Sequence, residues 1–262
     1  MAKERFNEPM TITPDAVAPR RAHLRELDWR FLLPNPPEGS FRHLLLLGGS
    51  TALRDLIIQS GLTRQVSLVA PQRQCVDAAV ILRRADASPA ALARSVIPGA
   101  ALYWELDRRR LARLRCTPSQ IRRHLGAAGF TPTGFYWIRP NFANPQLYIP
   151  LDTPALRWDL DTLFVASTPA LRLVEPGLRL LAQRGGKALA FFAGCSAVTA
   201  IAAPARESAP SLLASPALPA PLRCPTLRPL LLTAGGDDFN RVILLPFAPD
   251  STEPVAVCKL SR

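Results

Sequence analysis

The sequence offers little that would anchor it in a membrane or export it. No apolar run reaches the roughly 18 residues that a membrane-spanning helix needs. The longest candidate, 188–203, is interrupted by polar residues. The first 14 residues carry charges and proline and have no apolar signal core. We therefore expect a cytoplasmic protein with no membrane partner.

Cysteine and histidine are also sparse. No two cysteines form a C-x-x-C pair, their separations match no zinc-site spacing, and only three histidines accompany them. We expect no metal and no disulfide framework, but reduced and mostly buried thiols. The five cysteines are Cys75, Cys116, Cys195, Cys224 and Cys258.

Lysine is nearly missing, although basic charge is plentiful. The formal net charge is +12, and only Lys3, Lys187 and Lys259 are lysines, so arginine supplies almost all of the positive charge. The one dense run, Arg108 to Arg115, has helical spacing, which favours a solvated helix face. An Arg-rich anion or nucleic-acid binder is the weaker alternative.

Size and composition indicate a globular chain. Hydrophobic residues make up 48% of the 262 residues and charged residues 20%, which excludes wholesale disorder. A chain of this length forms one large domain, or a domain of about 200 residues with a small appendage.

Apolar runs alternate with helical patterns from residue 43 onward. His43 to Leu47 is a continuous apolar run, a glycine turn follows, Thr51 to Ser60 has helical spacing, and Val66 to Ala70 is the next apolar run. Strand, turn, helix and strand in this order predict a βαβ unit.

The alternation continues to about residue 203. A helix is expected within His23 to Leu33, and the further predicted elements are strands at 77–82, 100–106, 134–138 and 146–150, helices at 90–96, 118–128 and 168–183, and a strand pair within 188–203. Together they predict a doubly wound, Rossmann-like α/β fold with a mostly parallel sheet, closed by an antiparallel pair joined through 139–145.

Composition divides the chain into four parts. We expect a flexible N-terminal arm at 1–21, the α/β domain at 22–203, a Pro/Ala-rich linker at 204–225 and a β-rich appendage at 226–262. The linker's proline content cannot sustain a helix or a central strand. In the appendage two apolar runs flank Gly235 to Asp238, which is a hairpin signature.

Gly48, Gly49 and Ser50 lie at a predicted strand-to-helix turn. In doubly wound folds this turn approaches a nucleotide, because glycine permits close backbone approach and the helix N-terminus directs N–H groups at an anion. The full G-x-G-x-x-G pattern is missing, and two glycines also suit an ordinary βα turn. Both interpretations remain open.

A group of aromatic and polar residues forms a second candidate site. Phe135 and Trp137 would share one face of a strand and Tyr136 the other, so core packing accounts for part of the group. The remaining residues are predicted to bind substrate by stacking and guanidinium hydrogen bonds. The candidate substrate-binding residues are Arg83, Tyr136, Arg139, Asn141 and Phe142.

Other catalytic schemes find no support. No G-x-S-x-G elbow is present, and Cys195 has no histidine close in sequence. We expect Asp152, Asp159 and Asp161 to cap and solvate a short helix rather than act as paired acid and base. The sequence nominates no catalytic residue.

The stretch from His43 to Asp152, about half of the chain, resembles the class I S-adenosylmethionine-dependent methyltransferase fold. The segments that carry the resemblance are HLLLLGGSTALRDLI, DAAVILRR, PGAALYWEL, TPSQIRRHLGAAGF and the pair FYWIRP…LYIPLD. The resemblance implies a ligand cleft near residues 48–51, 70–73 and 83–88. It also implies S-adenosylmethionine as cofactor, with contacts to the backbone of Gly48, Gly49 and Ser50.

The chain departs from that family in the cofactor pocket. Leucines occupy 44–47, where the family carries an acidic residue, and Val69-Ala70-Pro71 stands where the family places an acid that binds the ribose. Losing a charged acceptor costs about 1.5–3 kcal/mol. Only residues 72–76 precede the next strand, where the family fits another helix and strand.

These features predict a shortened, degenerate methyltransferase-like protein that binds a substrate, product or partner in the former cofactor cleft, in natural-product biosynthesis. An active atypical methyltransferase is the alternative, in which positioning would carry methyl transfer. The expected partner is a small-molecule or peptide ligand, and a homodimer remains open.

The C-terminal segments TAGGDDFNRVILL and PVAVCK resemble the start of a kinase-like phosphotransferase N-lobe. The resemblance implies that Lys259 matches the lysine that contacts nucleotide phosphates. The chain ends at Arg262, before any metal-binding aspartate of such an enzyme. We therefore expect a remnant or a truncated piece rather than kinase activity.

Overall fold

The computed structural model describes residues 26–34, 39–107, 117–151, 154–163, 176–177, 180, 195–203, 227–233, 241–248 and 250–261. Three helices matter below: α1 (Thr51–Gln59), α2 (Pro118–Ala127) and α3 (Ala155–Thr162). The described strands are β1 (Phe41–Leu47), β2 (Thr63–Ser67), β3 (Val76–Ile81), β4 (Val96–Asp107), β5 (Phe130–Asn141), β6 (Asn144–Pro150), β7 (Cys195–Ala202), β8 (Arg228–Leu232), β9 (Arg241–Phe247) and β10 (Cys258–Ser261).

The described strands form one sheet in the order β10-β9-β8-β6-β5-β7-β4-β3-β1-β2. The pairs β2–β1, β1–β3 and β3–β4 are parallel. Every other described pair is antiparallel. The predicted α/β class is confirmed, but the sheet is mixed rather than mostly parallel.

Strand β7 accounts for much of this difference. It lies between β4 and β5, with Ala200 opposite Leu102 and Val198 opposite Phe135. Both neighbours run antiparallel to β7, so β4 and β5 are parallel to each other. The segment is apolar and small, and all of its residues after Cys195 are buried, as an interior strand requires. The predicted last pair, β5 and β6, is present as a hairpin, and β7 pairs with the edge of β5 that faces away from β6.

Alternation along the strands builds a core on each face of the sheet. Leu44 and Leu46 of β1 pack with Leu53 and Ile57 of α1, and Leu45 points to the opposite face, where the buried side of α2 lies. The apolar stripe of α1 predicted from spacing is therefore its buried face.

Three predicted elements differ in form or position. The helix expected within His23 to Leu33 is a 3-10 helix at Asp28–Leu32, in which Trp29 is buried and stacks on Tyr103 with ring centroids 5.6 Å apart. The helix expected at 90–96 is a 3-10 helix at Pro89–Leu92, since β4 already begins at residue 96. Strand β2 starts at residue 63, where it pairs with Phe41, and not at residue 66.

A capping box is present at the N-terminus of α2. Thr117 Oγ1 accepts from the Gln120 N–H at 3.3 Å, and Gln120 Oε1 accepts from the Thr117 N–H at 2.6 Å, with proline in the first turn. Thr117→Ala is expected to lower the free energy of unfolding by about 1 kcal/mol in urea denaturation. Ser88→Ala is the matched control, because Ser88 precedes a 3-10 helix but makes no side-chain cap bond. An equal loss in both variants would contradict the assignment.

The C-terminal strands extend the same sheet. β8 and β9 pair antiparallel, as predicted, and β8 also pairs with β6 through Leu232 and Leu147. Lys259 lies in β10 opposite Ile243. This placement does not support a kinase-like lobe. None of the described helices has the length and hydropathy needed to cross a bilayer.

Several predicted features lie outside the described residues. They are the N-terminal arm 1–21, the Arg108–Arg115 run, Asp152, most of the helix expected at 168–183, the linker 204–225 and the turn at Gly235–Asp238.

Candidate functional site

A pocket opens where the connections of the sheet change direction. β1 continues to β2 on one side and β3 continues to β4 on the other, so after β1 and β3 the chain leaves this edge of the sheet in opposite directions. Open α/β sheets bind ligands at such a switch point. The pocket has a volume of about 90 Å³. Its lining residues are Glu26, Gly48, Gly49, Ser50, Leu53, Leu82, Arg83, Arg84, Glu105, Phe142 and Ala143.

The turn after β1 forms one wall, and packing explains both of its glycines. Gly48 has φ +79°, and a Cβ there would lie 2.6 Å from the backbone nitrogen of Ala85 in the turn after β3. A Cβ at Gly49 would collide with the side chain of Leu46. Gly48 lets the two turns pack against each other, and Gly49 leaves room for the Leu46 side chain. The ordinary βα-turn interpretation therefore suffices for them, although their backbone borders the pocket.

Ser50 completes this wall by starting α1. Its Oγ accepts from the Leu53 N–H at 3.1 Å, and the first turn of the helix has no acidic side chain. The first N–H groups of a helix have no partner within the helix, and the helix dipole favours negative charge there. This end of the pocket is suited to an anion.

Glu105, near the end of β4, lines the pocket and is hydrogen bonded to the turn after β3. Its side chain is buried, and its carboxylate accepts from the Arg83 N–H at 2.9 Å and from the Tyr103 hydroxyl at 3.4 Å. Burial and the neighbouring Glu105 hold the pKa of Tyr103 well above its usual value, so the phenol remains a donor. The sequence analysis did not select Glu105. The available signal was that Glu105 and Asp107 are acidic residues at the end of an otherwise largely apolar strand.

Phe142 enters from the turn between β5 and β6. The guanidinium of Arg83 lies over its ring, 5.7 Å from the centroid, which holds this cation at the pocket. Asn141 shapes the turn, since its Oδ1 accepts from the N–H groups of Ala143 at 2.9 Å and Asn144 at 3.1 Å. Asn141 acts on the pocket through the backbone.

Five of the eight predicted site residues meet here: Gly48, Gly49, Ser50, Arg83 and Phe142. The structure does not bring the other three, Tyr136, Arg139 and Asn141, into the lining. Tyr136 is buried in the core on the α1 side of the sheet, while Phe135 and Trp137 face the other side as their alternation predicted.

Arg139 is engaged with α3. Its Nη1 lies 3.0 Å from Asp159 Oδ2 and its Nη2 donates to Oδ1 at 3.1 Å, while its guanidinium is 5.4 Å from the Trp137 ring centroid. The expectation that Asp159 solvates a helix is wrong, because its side chain is fully buried. Asp161 is exposed and lies 3.7 Å from Arg157.

Burial sets the protonation equilibria of this pair. It raises the pKa of Asp159 to about 6, even though the Arg139 charge acts in the opposite direction. Burial also lowers the pKa of Arg139, while Asp159 opposes that shift. The pair ties α3 to β5 on the face of the sheet opposite α1.

Residues 70–73, which the resemblance also places in the cleft, do not line the pocket. Val69, at the end of the β2 region, exposes 78% of its surface. Residues 69–73 contain no carboxylate side chain that could bind a ligand in the pocket. Within the described residues, no group of three His, Cys, Asp or Glu side chains is placed to hold a metal ion.

Comparison with known proteins gives loose structural likenesses, and two of them are as follows. No family model matches the chain, and no curated protein matches it. A candidate sarcosine dimethylglycine methyltransferase from Galdieria sulphuraria is 13% identical, with 71% of this chain and 83% of that chain covered and a TM-score of 0.28. YjhP from E. coli is 12% identical, with 70% and 97% covered and a TM-score of 0.27. At these TM-scores the likenesses assign no activity to this chain.

Proposed function

We propose that this chain is a methyltransferase-like α/β protein that binds a small ligand bearing an anionic group in the switch-point pocket, and that it does not carry out methyl transfer. The observation that carries the proposal is the meeting of Arg83 and Arg84 with the N-terminus of α1 in one pocket. Guanidinium and helix N–H groups both bind carboxylate and phosphate oxygens.

The size of the pocket supports a small ligand. Its volume of about 90 Å³ is below the roughly 300–1,000 Å³ of pockets that enclose drug-sized molecules. A nucleoside cofactor would need further space toward the end of β2. There Val69, Ala70 and Pro71 provide no side-chain acceptor for the ribose hydroxyls.

One observation favours the alternative, an active S-adenosylmethionine-dependent methyltransferase. Two carboxylates, Glu26 and Glu105, line the pocket although neither stands at the end of β2. Glu105 already accepts two hydrogen bonds that hold Arg83 and Tyr103. Glu26 is exposed and would be the acceptor of ligand hydroxyls in that alternative.

Calorimetric titration separates the two functions. The probes are inorganic phosphate, L-methionine and S-adenosylmethionine. We expect phosphate or L-methionine to bind, and Arg83→Leu to weaken that binding at least about tenfold, since a hydrogen bond to a charged group contributes roughly 1.5–3 kcal/mol. Arg94→Leu is the matched control, because Arg94 is exposed and outside the lining.

Two results would reject the proposal. Binding of S-adenosylmethionine tighter than about 100 µM, or roughly −5.5 kcal/mol, would support the active enzyme, and loss of that binding in Glu26→Gln would assign its hydroxyl acceptor. If none of the three probes produces heat at millimolar concentration, the proposal that the pocket binds a small anionic ligand is rejected as well.

A further inference from the structure

Three side chains away from the pocket form a hydrogen-bonded series. His43 Nε2 lies 2.7 Å from Ser67 Oγ, and His43 Nδ1 lies 3.4 Å from Cys75 Sγ. His43 is near the start of β1, Ser67 ends β2, and Cys75 directly precedes β3. A thiol, an imidazole and a hydroxyl in this order have the geometry of an activated nucleophile, its base and the group that orients the base.

Hydrogen bonds from their backbone N–H groups fix the positions of His43 and Cys75. Asp77 Oδ1 accepts from the His43 N–H at 3.0 Å, and Asp77 Oδ2 accepts from the Arg42 N–H at 2.7 Å. The N–H of Cys75 donates to the Ser95 carbonyl at 3.0 Å. The imidazole is buried, whereas Cys75 and Ser67 are half-buried. Cys75 is therefore partly exposed to solvent, whereas the His43 imidazole is enclosed by the protein.

We propose that Cys75 is a nucleophilic thiol, activated by His43 and positioned through Ser67, which forms covalent adducts with small soft carbon electrophiles. In the tautomer with the proton on Nε2, Ser67 Oγ accepts from Nε2–H and Nδ1 is the acceptor for the thiol proton. The sulfur then attacks the electrophilic carbon, and a C–S bond forms as the leaving group departs with its bonding electrons. The proton remains on His43 until solvent removes it.

Two other thiols of the chain are internal controls. Cys195 and Cys258 are also half-buried and free. Burial raises the pKa of both, which lowers their thiolate fraction. In neither case does a histidine enter the interactions that shift the pKa. Among these three half-buried cysteines, the structure gives a histidine as hydrogen-bond partner to Cys75.

The test is alkylation of the native protein by iodoacetamide, followed by peptide mass mapping of each cysteine. Here the carbon–iodine bond breaks and iodide leaves. We expect Cys75 to react at least about tenfold faster than Cys258, because the His43 imidazole, 3.4 Å from the sulfur, takes up the thiol proton as the sulfur attacks. Cys75 reacting no faster than Cys258 would overturn the proposal.

Variants then test the two supporting residues. His43→Gln should bring the Cys75 rate to about that of Cys258, and Ser67→Ala should lower it several-fold, while Cys258 in the same molecules keeps its rate. Ser67→Thr retains the hydroxyl and should preserve reactivity. If His43→Gln proves unfolded by circular dichroism, the serine pair decides: equal Cys75 rates in Ser67→Ala and Ser67→Thr would sink the idea.

Discussion

Asp159→Ala is expected to lower the free energy of unfolding by about 3–5 kcal/mol, because it leaves the charge of Arg139 inside the protein without its carboxylate. The side chain of Arg139 is only 15% exposed, and that of Asp159 is not exposed at all. Removing one member of a buried pair therefore keeps the desolvation cost of the other member and loses the attraction. Urea denaturation at neutral pH measures the effect.

Asp161→Ala is the matched control on the same helix. Asp161 and Arg157 are exposed and 3.7 Å apart, so this variant should lose no more than about 0.5 kcal/mol. The double variant Arg139→Leu/Asp159→Leu should recover much of the loss, since apolar replacement of a buried pair is often neutral. Equal effects of the two single alanine variants would show that the pair is not buried in solution.

The pH dependence of wild-type stability gives a second measurement on this pair. The pKa of Asp159 is about 6 in the folded protein, against an ordinary value of 3.8. The folded state therefore binds a proton that the unfolded state has released between these values. Relative to Asp159→Asn, the stability of the wild type should fall as the pH rises from about 4 to about 6. A rise over that range would contradict the raised pKa.

Gly48→Ala is expected to cost about 2–5 kcal/mol and to abolish ligand binding in the pocket. A left-handed φ costs an alanine about 1–2 kcal/mol, and overpacking adds about 1–3 kcal/mol. The added Cβ would meet backbone atoms of Ala85, which cannot rotate away as a side chain can. The turns after β1 and β3 must therefore separate, and the pocket lies between them.

Gly61→Ala separates these two costs. Gly61 has φ +72°, but a Cβ there would meet nothing within 4 Å. It should lose only the conformational part, about 1–2 kcal/mol, with the calorimetric affinity for phosphate or L-methionine unchanged. The hypothesis of close packing fails if both glycine variants show the same loss of stability and keep the same affinity.

The sequence alone was sufficient for the elements whose signals are local. The run from β1 through α1, the helix α2, and the β5–β6 hairpin follow from hydrophobic periodicity and from turn residues within a few positions. The glycine turn was selected because it follows an apolar strand and precedes a helix, whereas the cleft at residues 83–88, which contains Arg83, came from the resemblance to the methyltransferase fold.

Only the tertiary structure decided which distant segments become neighbours. β7 lies between β4 and β5, where Val198 pairs with Phe135 and Ala200 pairs with Leu102. β7 and β4 are about a hundred residues apart in the sequence, and no local pattern specifies their pairing. The same is true of the burial of Asp159 against Arg139 and of the place of Glu105 beside the turn after β3. From sequence alone an acidic residue is predicted to be exposed to solvent. The free energy of burying its charge depends on partner groups that only the folded chain brings close to it.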